Sequence, residues 1–98
     1  MRRLALAAVA AALGAGCSGR ALPIATEADA ARVQVAKAEL DQGRGLLISH
    51  CSGCHLTPAP DDHPAAAWPA EVAEMRERSN LTPAQAETIT RYLVAFAR

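Results

Sequence analysis

Apolar and polar positions alternate most regularly near the end of the chain. Ala86, Ile89, Leu93 and Phe96 recur at three- and four-residue spacing among polar neighbours, which is one apolar face of a helix. Just before them, Thr82-Pro83-Ala84-Gln85 supplies an N-cap, a proline at the first helical position and a capping-box glutamine. Trp68, Val72 and Met75 fall at i, i+4 and i+7 and predict a second helix over about 68–78, with Pro69 tolerated in its first turn. Upstream, Thr26 followed by Asp29 marks another helix start. Alanine-rich sequence then runs to Leu40, and Gly43 and Gly45 interrupt it. The pattern leaves open whether one bent helix or two shorter ones span 27–50, because a glycine costs a helix only about 1 kcal/mol. Residues 56–66 carry three prolines and read as a loop. No stretch alternates with period two, so no strand is expected and the predicted class is all-α.

The first sixteen residues follow another pattern. Arg2 and Arg3 precede an apolar run from Leu4 to Leu13, and small residues lead on to Cys17. The run is about half the roughly 20 residues that a spanning helix needs, and the layout is that of an export signal removed on maturation. This changes how the composition is read. The 98 residues are 51% hydrophobic and formally neutral, but without Arg2 and Arg3 eight basic residues face ten acidic ones, a charge of −2. Such a balance argues against a nucleic-acid partner, because nothing neutralises a phosphate backbone. A single Trp, Tyr and Phe remain, so so small a domain is expected to complete its core with something other than side chains.

Cys51-Ser52-Gly53-Cys54-His55 is the segment with the most chemical content. Two cysteines three positions apart suit thioethers to the two vinyl groups of a haem, and the histidine that follows suits the proximal side of the iron. Small Ser52 and Gly53 let the backbone pass close to the porphyrin rim. Half a zinc site, a redox dithiol and an ordinary disulfide are the competing readings. Zinc wants a second Cys/His pair, for which only His50 and His63 remain, and the dithiol wants a βαβ setting that the pattern lacks. Export and the shortage of aromatic side chains favour haem.

Gly43-Arg44-Gly45-Leu46-Leu47-Ile48-Ser49-His50, leading into that motif, resembles the corresponding run of small monohaem cytochromes c, with Leu47 where the family carries an aromatic. Trp68-Pro69-Ala70-Glu71-Val72-Ala73-Glu74-Met75 and the stretch from Leu81 to Tyr92-Leu93 resemble a subset of short bacterial members. The resemblance covers roughly 40–96. It implies a small helical fold wrapped around one covalent haem c held by Cys51, Cys54 and His55. It also implies a monomeric carrier of single electrons between other redox proteins, rather than an enzyme. The small residues before Cys17 resemble a bacterial lipoprotein signal in which that cysteine becomes the lipidated first residue. Cys17 has no partner outside the Cys51/Cys54 motif, which fits that reading. The expected organisation is a signal over 1–16, a lipidated N-terminus and tether over 17–26, and a haem domain over 27–98. The expected location is the periplasmic side of a bacterial membrane, or the soluble periplasm if Cys17 is unmodified.

The sixth position on the iron separates electron transfer from ligand chemistry. Met75 is the leading candidate, since it is the sole methionine after Met1 and shares a helical face with Trp68 and Val72. That same stripe is also what any core-facing helix shows, with methionine as a filler of irregular gaps. His63, then His50, are the histidine alternatives, although His63 in its polar loop reads as solvated and His50 as a surface residue. An open site would make the protein a haem-based sensor or binder of small ligands, with weak peroxidatic activity. Trp68 is expected on a haem face or in the core, and Tyr92 to reach a propionate or a backbone carbonyl, or to lie at the surface. A carbonyl near Pro58 is expected to orient His55. Glu74 with Arg78 and Glu87 with Arg91 have the spacing of surface ion pairs.

Overall fold

A computed structural model of the chain describes residues 21–51 and 57–98. Four helices account for most of them: α1 (Glu27–Val33), α2 (Lys37–Cys51), α3 (Trp68–Met75) and α4 (Pro83–Phe96). Two short 3₁₀ turns, Pro60–Asp62 and Ala65–Ala67, lead into α3, and no strand occurs among the described residues. The all-α expectation therefore holds at the level of class. None of the described helices is long and apolar enough to cross a membrane.

Local chemistry sets both helix starts that the capping residues predict. Thr26 Oγ1 accepts from Asp29 N at 3.1 Å while an Asp29 carboxylate oxygen accepts from Thr26 N at 2.9 Å. The backbone hydrogen bond from Thr26 holds the Asp29 carboxyl below its ordinary pKa, with the Thr26 hydroxyl and Arg32 adding to it. Thr82 and Gln85 form the same reciprocal box at the start of α4.

The open question over 27–50 resolves as two helices, but the glycines do not divide them. The break lies at Gln34, a left-handed residue at φ 56° whose backbone N–H returns to Ala30 O. Gly43 and Gly45 both lie inside α2. Gly43 is there because α4 crosses α2 at this point: a Cβ would stand 2.6 Å from Thr88 O and 2.7 Å from Tyr92 Cβ. Nothing lies within 4 Å of a Cβ built at Gly45. α2 packs chiefly on α4, and α3 packs on α4 from another side.

The core follows from that arrangement. Leu47, Trp68, Val72, Ile89, Tyr92 and Leu93 are fully enclosed and form one cluster with Leu22 and Leu81. Ala25, Ala30, Leu40 and Ala95 form a second, joined by Val33, Val35 and Phe96. Each buried aliphatic or aromatic side chain contributes on the order of 1.5–3 kcal/mol relative to exposure. Leu22 and Ala25 belong to these clusters, so within the 17–26 segment expected as a tether these two residues are packed on the helices. The predicted helix over 68–78 ends earlier, at Met75, and turns continue to Asn80, left-handed at φ 54°. Arg78 therefore lies beyond α3 and does not pair with Glu74. Glu87 does pair with Arg91, at 2.5 Å, and Arg91 also reaches Glu39 on α2.

Candidate functional site

Cys54 and His55 lie outside the described residues, as do Ser52, Gly53, Leu56 and Cys17. What the structure describes is the ground on which the motif begins and the residues that face it. Cys51 is the last residue of α2 and is half-buried, with its side chain against the main core cluster. Burial raises its thiol pKa, and a hydrogen bond with the Ser79 side chain partly offsets that shift. The thiol is thus held protonated in an apolar setting.

Ser79 joins two helices at this edge. Its carbonyl accepts from His50 Nδ1 at 3.2 Å, so that ring nitrogen carries its proton. Its own N–H donates to Met75 O at 3.0 Å, continuing the turn that follows α3. The end of the motif-bearing helix and the end of the helix carrying Met75 are therefore pinned to one residue. Met75 is half-buried and packs on the same core cluster as Cys51 and Leu46. His50 departs from its expected surface position because of the Ser79 bond, which leaves it only half-exposed.

Trp68 is entirely buried and belongs to the core cluster, with Nε1 donating to Pro60 O at 2.9 Å. The loop before α3 is held down by that bond. His63 is not freely solvated: it meets Trp68 edge-on with ring centroids 4.9 Å apart, and its Nε2 lies 3.7 Å from Glu71 Oε2. It stands on the loop side of Trp68, whereas His50 stands at Ser79. Tyr92 takes the carbonyl reading rather than the surface one: it is enclosed and its hydroxyl donates to Pro23 O at 2.6 Å. Burial pushes its pKa up to about 12, against a smaller opposing effect of Arg44.

The soft sulfur of Met75 and the Cys51 thiol thus border one apolar core, at the end of α2 where Cys-x-x-Cys-His begins. A thioether and a thiol beside apolar walls are donors of the kind a haem takes. Ser79 had no signal in the sequence, because a serine 28 positions beyond Cys51 has no periodic relation to it.

Fold and site together define a small helical domain in which α2, the longest helix among the described residues, ends on Cys51, the first residue of Cys-x-x-Cys-His. Comparison with protein-family models, curated proteins and solved structures finds no match for the chain.

Proposed function

We propose that the protein is a lipid-anchored, monohaem c-type cytochrome that carries single electrons between periplasmic or membrane-associated redox partners. The observation that carries the reading is the pairing at one edge: Cys51, the first residue of Cys-x-x-Cys-His, and Met75 border the same core and are tied through Ser79. Cys51 and Cys54 would carry the two thioethers, and His55 and Met75 would hold the iron. When bound, the haem supplies the one-electron iron couple. The chain's own residues exclude water and fix the ligands. Leu47, Trp68, Val72 and Leu93 provide the low-dielectric wall, Ser79 ties the helix carrying Met75 to the helix carrying Cys51, and the Trp68 bond to Pro60 holds the intervening loop. A His/Met pair favours the reduced state and raises the potential, which suits an electron carrier. Contacts with partners are expected to be small and brief.

Pyridine haemochrome spectra of protein expressed with its export signal test the reading. A c-type spectrum is expected, lost when Cys51→Ala and Cys54→Ala are combined; unaltered covalent haem in that variant overturns it. Met75→Ala is expected to remove the weak long-wavelength band of Met-ligated ferric haem and to open the reduced form to carbon monoxide. An unchanged spectrum overturns the ligand assignment.

A further inference from the structure

The extended segment before α1 lies across the crossing of α2 and α4 as a strap. Leu22 is 6% and Ala25 3% exposed, so both are core residues. The two carbonyls between them and the helices are taken: Tyr92 Oη donates to Pro23 O at 2.6 Å, and Arg44 Nε to Leu22 O at 3.3 Å. Tyr92 stands on α4 and Arg44 on α2, beside the close approach at Gly43. The strap is therefore clamped from both helices.

Only five peptide units separate Cys17 from Leu22. At full extension they span about 18 Å, less than the roughly 30 Å diameter of a compact domain of this size. We infer that the clamped strap holds the domain directly on the bilayer that carries the Cys17 lipid, so that its electron partner sits at that same membrane surface. The inference rests on the lipid-anchored reading above.

The outward side of the strap suits this contact. Ile24 is 69% exposed, the most exposed of the large apolar side chains among the described residues, and Ala21 and Pro23 beside it are also exposed. Beside the strap, Arg32 pairs with Asp29, and the Arg44 guanidinium is held at Leu22 O. The anchor with the apolar strap sets the standoff. Cys51 lies seven residues along α2 from Arg44, about 10 Å of helix. A group bound at Cys51 is consequently held within on the order of 40 Å of the lipid even at full stretch. The partner class that fits is a membrane-integral or membrane-anchored one-electron carrier whose exposed redox group lies in that layer, rather than a soluble carrier met far from the membrane.

Neutron reflectometry on supported phosphatidylethanolamine/phosphatidylglycerol bilayers carrying the mature lipidated protein reads the standoff. The expected profile has protein density beginning at the headgroups, with any water gap below about 18 Å. A 20-residue Gly/Ser insertion between Gly19 and Arg20, which leaves the packed chain untouched, is expected to widen that gap or blur the layer. Tyr92→Phe with Leu22→Ser is expected to loosen it in the same direction. Protein that stays on the bilayer with a wider gap before any insertion, or a layer the insertion does not change, overturns the inference alone. Protein that leaves the bilayer overturns the anchor and the inference together, while haem content, read separately, reports on the electron-transfer reading.

Discussion

The first half of α2 and its C-terminal end are built differently. Around Gly43 the helix is pressed against α4 so closely that no Cβ fits, the strap covers the crossing, and Leu40 and Tyr92 are fully enclosed. Around Cys51 the packing is looser: Ile48 is 38% exposed, and Cys51 and Met75 are half-buried. The first concentrates apolar burial and stability, and the second carries the Cys51 and Met75 sulfurs and a hydrogen-bonded latch. Under the proposed function, that looser packing leaves a face for the ligand. The difference implies that substitutions around Gly43 change stability, and those at the Cys51 end change chemistry with smaller folding effects.

The strongest test of that contrast is Leu40→Ala, which empties a fully enclosed position and is expected to lower the unfolding free energy by about 3 kcal/mol in denaturant titrations. A loss below about 1 kcal/mol would mean that the second cluster collapses easily and that the two regions are not so different. Next comes the pair of glycines on the same helix. Gly43→Ala is expected to cost about 2 kcal/mol, because the clash is with a carbonyl and with a Cβ held by its backbone. Gly45→Ala, with open space, is expected to gain up to about 1 kcal/mol from helix propensity. Equal effects at the two sites would refute the close crossing.

Tyr92 supplies a pH signature for the tight region. Its folded pKa is raised to about 12 from an ordinary value of 10.0, so its neutral form is the one that folding favours. The stabilisation is fully present below pH 10, falls as the unfolded chain ionises above that pH, and is lost by about pH 12. Urea midpoints measured across that window are expected to decline for the parent chain and to decline less for Tyr92→Phe. At the looser end, Ser79→Ala keeps the backbone bonds to His50 and Met75 and removes only the hydroxyl near Cys51. It is expected to cost less than about 1 kcal/mol while moving the Cys51 thiol pKa upward in any form where that thiol is free. A loss as large as that of Leu40→Ala would erase the distinction between the two regions.

Several parts of this architecture were legible in local sequence. The capping boxes at Thr26 and Thr82 involve residues three apart, so a short window contains the whole interaction. The apolar face of α4 and the Trp68/Val72 stripe follow from helical period. Gly43 was readable as a helix breaker and acts instead as a contact surface, since its role depends on α4, which lies more than forty residues away in the chain. The same holds for Ser79, whose partners His50 and Cys51 stand on another helix, and for Tyr92, whose hydroxyl finds a carbonyl 69 positions upstream. His50, expected at the surface, is drawn into the latch for that reason.

Sequence alone determined the helical class and the starts of α1 and α4, because these depend on neighbours within a turn or two. Tertiary structure alone decided that Leu22 and Ala25 are packed on the helices, that α2 begins after Gln34 and passes through both glycines, and that Cys51 and Met75 border one core. Those features depend on which helix faces which, and contacts between distant residues leave no period in the sequence.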